Sequence, residues 1–156
     1  MNSRTILFKK VLWCSLFVLW ASLIIFFTAQ NGSESSEVSG FIAENLWPLF
    51  KQPLSFTVGH EISLSAFHFF IRKLAHFSIH FIFAFIAVRA VVWNFQKRRP
   101  ALIFAWLIAV FVSILDEAAQ LSVPGRYGVV ADAGINLAGT LLGAFLSSLL
   151  GPKSPA

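Results

Sequence analysis

Charged residues are scarce in this 156-residue sequence: 12% are Asp, Glu, Lys or Arg, whereas soluble domains carry about 25%. Hydrophobic residues make up 57% of the chain, and its mean hydropathy is +0.76. Such a composition excludes a disordered chain and an ordinary soluble domain. We therefore predict a small polytopic membrane protein with one domain, residues 1–156.

Cysteine is nearly absent, since Cys14 is the single one in the chain. One cysteine excludes an intramolecular disulfide and a Cys-x-x-Cys motif. Cys14 lies in an apolar run, where a thiol behaves as a small hydrophobic side chain. The sequence also lacks a Gly-x-Ser-x-Gly elbow. No cofactor is predicted.

Long apolar runs, in contrast, are plentiful. A helix needs roughly 20 mainly apolar residues to cross a bilayer, and residues 11–29, 71–93, 101–121 and 132–150 provide four such segments. The first exceeds the apolar core of a cleaved signal peptide, so it is expected to remain as an anchor. The predicted fold class is all-α, with four transmembrane helices and external loops at 30–70 and 122–131.

The longer loop contains a further predicted element. Its apolar residues are spaced for one face of a short helix lying on the membrane surface. Ser35 and Ser36 are expected to cap this helix, and Pro53 and Gly59 to break the chain before the second span. The residues of the apolar face are Phe41, Ile42, Leu46, Leu49 and Phe50.

Basic residues are divided unevenly between the two ends of the predicted spans. One end carries eight basic residues and no acid, and the other carries four basic residues and all seven acids. Because Lys and Arg are in excess on the cytoplasmic side, both termini are predicted to be cytoplasmic. The basic charge is thus attributed to topology and anionic lipid, not to nucleic acid. The eight residues are Arg4, Lys9, Lys10, Arg89, Lys97, Arg98, Arg99 and Lys153.

Polar residues of all four spans are expected at one depth. At about 1.5 Å per residue, Gln30, His76, Asp116 and Asp132 lie roughly 24 to 28 Å from the cytoplasmic end of their spans. The hydrocarbon layer is about 30 Å thick. Charged groups inside it normally face the bundle interior or a water-filled cavity. The sequence therefore predicts one polar site that faces outside.

Spacings of three and four residues place these side chains on shared helix faces. Gly139 and Gly143 continue one face as a seam for close helix packing. Pro124 and Gly125 are typical of a tight turn, which would hold Arg126 above the acids. The polar faces comprise His68, Arg72, Lys73, His76 and His80 in the second span, Asp116, Glu117 and Gln120 in the third, and Asp132 and Asn136 in the fourth.

Three blocks, RKLAHF at 72–77, DEAAQLSVPGRYG at 116–128 and DAGINLAGTLLG at 132–143, resemble the signature blocks of the VanZ-like family. QNGSESS at 30–36 resembles its weaker first block. This family is named for a protein tied to teicoplanin resistance, so the resemblance implies a multi-pass protein of the bacterial cytoplasmic membrane. Family members tend to have an acid and an aromatic residue where this chain has Ile79 and His80. The polar positions that the resemblance implies are Gln30, Lys73, His76, Asp116, Glu117, Gln120, Arg126, Asp132 and Asn136.

Binding of an amphiphile with an anionic head is the first functional hypothesis. Arg72, Lys73 and Arg126 would hold a phosphate or carboxylate. A lipid-linked cell-wall precursor or a phospholipid has this chemistry, and the family's link to glycopeptides indicates the same class. The hydroxyls and amides of such a ligand would meet Asp116, Glu117, Gln120 and Asn136.

Catalysis is the second hypothesis. His76 with Asp116 or Glu117 could act as a general base in a membrane-embedded hydrolase or transferase. Candidate nucleophiles at a suitable depth are Ser33, Ser35 and Ser36.

A metal site is the variant of this hypothesis. His76 and His80 have the spacing of two zinc ligands on one helix, and Asp116 or Glu117 could complete the set. No metal is predicted, because such a pair is more often two polar residues on a packed face.

A structural or partner-binding role is the third hypothesis. Buried ion pairs, such as Lys73 with Asp116 or Arg126 with Asp132, would then fix the helix register.

Four spans are few for a transporter, so transport would require a homo-oligomer.

Overall fold

The computed structural model describes residues 2–95, 97–126 and 130–150, which form five α-helices. Four of them, all except α2, are long and apolar enough to cross a membrane. The predicted all-helical class and the four candidate spans are therefore confirmed. Lys153 and the segment 127–129 of the predicted connection lie outside the described residues. The helices are α1 (Ser3–Ala29), α2 (Gly32–Val58), α3 (Leu64–Asn94), α4 (Arg98–Gln120) and α5 (Val130–Leu150).

The helix between the first two spans is much longer than predicted, since α2 has 27 residues. Its N-cap is Asn31, whose side chain accepts from the Glu34 amide while the Glu34 carboxylate accepts from the Asn31 amide. The prediction that Ser35 and Ser36 cap this helix is wrong, because both lie inside it. That α2 lies at the membrane surface stays a prediction.

The prediction that Pro53 breaks the chain is wrong, whereas the predicted break at Gly59 is present. Pro53 lies within the helix, which continues to Val58 and ends at Gly59 with φ +78°. A proline inside a helix removes one backbone hydrogen bond, but tertiary packing often outweighs this local preference. Here α2 packs on α3 through the rings of Trp47 and Phe67, whose centroids are 5.3 Å apart.

The central helix is α3, which contacts all four other helices and packs most extensively against α5. Gly139 and Gly143 make this packing close, because a Cβ at either position would overlap the carbonyl oxygen of Phe77 or Phe81. Glycine at both positions lets the two backbones approach one another. The pair thus fixes where the polar side chains of α5 meet those of α3.

The first helix runs along α3 in an antiparallel register. At one end Lys9 Nζ lies 5.0 Å from the ring centroid of Trp93. Towards the other end, Trp20 donates from Nε1 to the Ile79 carbonyl oxygen at 2.9 Å. Because α1 and α3 are antiparallel, the C-terminal end of α1 lies beside the N-terminal half of α3. That part of α3 carries the polar side chains Arg72, Lys73, His76 and His80.

The buried face of α4 changes from apolar to polar along its length. Ala101, Ala105 and Ala109 are fully buried and belong to the hydrophobic core. The same face continues to Ser113 and Asp116, which are also buried. The core therefore lies at one end of the bundle, and a polar cluster lies at the other.

Candidate functional site

Asp116 is the centre of the polar cluster and receives hydrogen bonds from α1, α3, α4 and α5. Its donors are the Thr28 hydroxyl, Gln120 Nε2 at 3.2 Å and Asn136 Nδ2 at 3.5 Å. His80 Nε2 lies 2.9 Å from the second carboxylate oxygen. Asp116 itself is 8% exposed. One carboxylate thus joins the four candidate spans.

A second group of contacts connects α3 with α5. His76 Nδ1 lies 3.2 Å from Asn136 Oδ1, and the amide of Asn136 also reaches Glu117 Oε2 at 3.5 Å. The side chains of Lys73 and Asp132 form an ion pair. Asp132 lies in the first turn of α5, where the positive end of the helix dipole also favours its charge.

The ion pairs predicted for a purely structural role are not the ones observed. Lys73 pairs with Asp132 and not with Asp116, whose oxygens are occupied by the donors described above. Arg126 makes no hydrogen bond to Asp132 among the contacts of the described residues and instead turns towards the end of α1. Sequence spacing fixed the faces of each helix but not which faces meet.

Arg126 ties the connection between α4 and α5 to the C-terminal end of α1. Its guanidinium donates to the carbonyl oxygens of Phe27 at 2.8 Å and Gln30 at 3.2 Å, and to Gln120 Oε1 at 2.8 Å. The last carbonyls of a helix have no partner within it, so Arg126 supplies their hydrogen bonds. Burial, with a smaller contribution from Arg72, lowers the pKa of the Arg126 guanidinium, while nearby carboxylates oppose that shift.

The predicted tight turn at Pro124 and Gly125 is present and is held by α2. Gly125 has φ +72°, and the Gly32 amide donates to the Pro124 carbonyl oxygen at 3.1 Å. A Cβ on Gly32 would overlap the Gly125 carbonyl. This close contact brings the start of α2 beside Arg126.

A cavity of about 150 Å³ lies beside Asp116, between α1, α2 and α3. At about 30 Å³ per water molecule, it has room for roughly five waters. Its wall is apolar on one part and polar on the other. The apolar lining is Ile24, Phe27, Val38, Ile42, Ile71, Ala75 and Ile79, and the polar lining is Thr28, Gln30, Ser35, Ser39, Arg72, His76, His80, Asp116, Gln120 and Arg126.

Arg72 is the cation of this cavity that has no hydrogen-bond or ion-pair partner among the described residues. Its side chain is half-buried, and it makes no hydrogen bond or ion pair with any described residue. Gln30 Oε1, in the same lining, is also buried with no hydrogen-bond donor among the described residues. Within the part of the chain that the structure describes, the cavity thus holds an unpaired cation and an unpaired acceptor.

The predicted site residues divide between the cavity and the packing behind it. Gln30, Arg72, His76, Asp116, Gln120 and Arg126 line the cavity, whereas Lys73, Glu117, Asp132 and Asn136 do not. His68, at the start of the predicted stripe, lies 2.8 Å from the Ser39 hydroxyl of α2 instead. Whether any of these residues binds a ligand stays a prediction.

The serines considered as nucleophiles are placed differently from one another. Ser35 lines the cavity, whereas Ser33 is exposed and donates to Asn31 Oδ1 at 2.6 Å. Ser36 lies outside the cavity lining.

The two histidines considered as zinc ligands, His76 and His80, do not form a metal site with a third ligand among the described residues. His76 and His80 meet Asn136 and Asp116 respectively. Within residues 2–95, 97–126 and 130–150, no three His, Cys, Asp or Glu side chains are grouped so that they could hold a metal ion.

Thr28 is the site residue that sequence reasoning missed. It contacts Asp116 from α1 and lines the cavity. The available signal was its depth, because it precedes Gln30 by two residues at the same end of the span. His80 was predicted on the polar face of the second span and as a weak zinc candidate, and its observed contact is to the central carboxylate.

Comparison with known proteins places the whole helical bundle in one family. The chain matches the VanZ/LLP1 family over residues 13–151. No curated protein and no solved structure matches it. The matched region includes residues 13–29 of the first candidate span, the other three spans in full and every residue of the polar cluster, so this chain belongs to the VanZ/LLP1 family.

Proposed function

We propose that this protein binds the anionic head of a membrane amphiphile, a lipid-linked cell-wall precursor or a phospholipid, in the cavity between α1, α2 and α3. Arg72 is the residue that contacts the anion. The apolar chain of the ligand lies against the apolar part of the lining, which includes Val38, Ile42 and Ile71. In this proposal the cavity faces outside the cytoplasmic membrane of a bacterium, with both termini inside.

The guanidinium of Arg72, which pairs with no described residue, is the observation that carries this proposal. A charged group at the edge of the hydrocarbon is costly unless a partner or water satisfies it. The other cations near the cavity have partners, since Lys73 pairs with Asp132 and Arg126 donates to three oxygens. Lys73 and Arg126 therefore shape the site, and Arg72 remains to meet the ligand.

The carboxylates near the cavity do not prevent an anion from binding. Asp116 is surrounded by donors, and Asp132 is neutralised by Lys73. A guanidinium offers two parallel donors to the oxygens of a phosphate or carboxylate. Gln30 Oε1, which lacks a donor, can accept a hydrogen bond from a hydroxyl of the ligand.

Lipid analysis of purified variants tests this proposal. Arg72→Gln removes the free cation, and Lys51→Gln removes an exposed cation of α2 that is paired with Glu61 outside the cavity. We expect mass spectrometry to find an acidic lipid co-purifying with the wild type and with Lys51→Gln, and much less with Arg72→Gln. Equal amounts in all three proteins would contradict the proposal.

A titration with a defined probe gives the affinity. Dodecyl phosphate supplies an anionic head and one apolar chain, and dodecanol is its uncharged counterpart. Loss of a charge-assisted contact is expected to weaken binding of dodecyl phosphate by roughly 10- to 100-fold in Arg72→Gln. Equal binding of dodecyl phosphate and dodecanol would show that the head is not recognised. In a bacterial host, Arg72→Gln is then expected to change glycopeptide susceptibility.

The pair of His80 and Asp116 supports one alternative, a membrane-embedded hydrolase or transferase. Their contact resembles a base and the carboxylate that orients it, and both residues line the cavity. The base of this alternative is therefore His80 and not His76, which meets Asn136. Turnover of dodecyl phosphate to inorganic phosphate, abolished in His80→Phe, would favour catalysis. Saturable binding without product favours the binding proposal.

A further inference from the structure

A second group of cations lies at the opposite end of the bundle, in the groove between α1 and α3. Arg89 lies 5.8 Å from the ring centroid of Trp13 and 5.2 Å from that of Phe85. One turn further along α3, Trp93 packs beneath Lys9 at 5.0 Å. Cations and aromatic rings of two helices are therefore interleaved at this end.

Two donors in this groove have no acceptor among the described residues. Arg89 Nε and Trp93 Nε1 are buried, and neither makes a hydrogen bond to any described residue. They are four residues apart, so they lie on the same face of α3. A buried donor without an acceptor costs about 1 to 3 kcal/mol, and an acceptor from outside the protein would remove this cost.

No carboxylate of the described chain bonds to either donor. Helices α1 and α3 contain no acid, and the acids of α4 and α5 lie in the polar cluster at their other ends. Lys97 and Arg99 add two more basic residues at the same end of the bundle. The groove is thus positively charged and has aromatic side walls.

We propose that this groove binds the phosphate of an anionic phospholipid, which accepts hydrogen bonds from Arg89 and Trp93. Arg89 precedes the end of α3 at Asn94 by five residues, roughly 7.5 Å along the helix axis. This position suits a headgroup, since tryptophan and snorkelling arginine lie where hydrocarbon meets headgroups. Basic pockets between transmembrane helices recognise acidic headgroups in this way.

Binding of phosphatidylglycerol, compared with phosphatidylcholine, tests the assignment. The purified full-length protein in detergent is titrated with each lipid, and bound lipids are counted by native mass spectrometry. We expect preferential binding of phosphatidylglycerol, weakened roughly tenfold or more in Arg89→Gln and about threefold in Trp93→Phe. Trp93→Phe keeps a ring beneath Lys9 and removes only the N–H donor.

Arg99→Gln is the matched control, because it removes one exposed positive charge from the same end. Its affinity is expected to stay within about twofold of the wild type, since exposed charges contribute little. An equal loss in Arg99→Gln and Arg89→Gln would mean that net charge alone attracts the lipid, and the assigned site would be wrong. Unchanged binding in Arg89→Gln would also overturn it.

Two further arms address folding and the source of the phosphate. If Arg89→Gln does not fold, Arg89→Lys and Trp93→Phe provide the comparison, and wild-type affinity in both contradicts the proposal. Inorganic phosphate at millimolar concentration is expected not to displace the lipid, and displacement would assign the groove to the free ion.

Because the cavity is itself proposed to bind an anionic head, the titration is repeated in the Arg72→Gln background, where Arg89→Gln should still weaken the remaining phosphatidylglycerol binding roughly tenfold. No further loss in that background would contradict the groove and leave the cavity proposal untouched.

Discussion

His80 Nε2 lies 2.9 Å from Asp116 Oδ2, and the two residues are 1% and 8% exposed. The contact joins α3 to α4 at the carboxylate that α1 and α5 also reach. Asp116 is therefore the acceptor shared by all four candidate spans.

Asp116→Asn is expected to destabilise the bundle by about 1 to 3 kcal/mol. The amide keeps one acceptor oxygen but turns an N–H donor towards donors of neighbouring helices. Thermal or denaturant unfolding of the purified protein in detergent measures the loss. Glu44→Gln makes the same chemical change at an exposed position of α2, and its effect should stay within about 0.5 kcal/mol. Similar stability of the two variants would contradict the central role of Asp116.

Arg126→Lys is expected to lower the unfolding temperature although it keeps the positive charge. A lysine ammonium cannot reproduce the planar fork that reaches Phe27, Gln30 and Gln120. A loss of about 1 to 3 kcal/mol follows if carbonyls at the end of α1 are left without donors. Circular dichroism and thermal unfolding measure it. Wild-type stability would mean that charge alone is sufficient at this position.

Alanine substitutions along α5 separate close packing from helix propensity. Gly139→Ala and Gly143→Ala place a Cβ against the backbone of α3, and each is expected to cost about 1 to 3 kcal/mol. Gly134→Ala is the matched control, because nothing lies within 4 Å of a Cβ there. It should be neutral or stabilising by up to about 1 kcal/mol. Equal effects at the three positions would argue against the packing seam.

Two glycines of α2 make the same comparison at the turn. Gly32→Ala would push against the Gly125 carbonyl, whereas a Cβ at Gly40 would lie 3.7 Å from the His68 ring, an ordinary contact distance. Gly32→Ala is therefore expected to separate α2 from the turn and to weaken binding of dodecyl phosphate in the adjoining cavity. Gly40→Ala should bind as the wild type does. Equal binding by both variants would show that the turn contact does not support the cavity.

The orientation in the membrane is tested with reporter fusions. A reporter that is active only in the cytoplasm should be active after Lys97 and inactive at Ser36, because basic residues concentrate at the end that contains Lys97. A reporter that requires export should give the opposite pattern. The reverse result at both positions would overturn the predicted orientation and place the cavity inside.

The sequence by itself determined the class of protein, the four apolar spans and the shared level of the polar residues along their helices. These properties depend on local composition and on a rise of about 1.5 Å per residue, which need no knowledge of which helices meet. Helix ends were less predictable. Asn31 and the packing of Trp47 on Phe67 extend α2 past Pro53, because tertiary contacts outweigh local breakers.

Only the tertiary structure decided the partners. Residue spacing placed Lys73, Asp116 and Arg126 near one layer. The rotation and register of the helices then paired Lys73 with Asp132 and directed Arg126 to carbonyl oxygens at the end of α1. These assignments depend on the close approach of α5 to α3 at Gly139. Arg72 meets no partner within residues 2–95, 97–126 and 130–150 for the same reason, because a helix face identifies neighbours on one helix and packing selects the partners on the next.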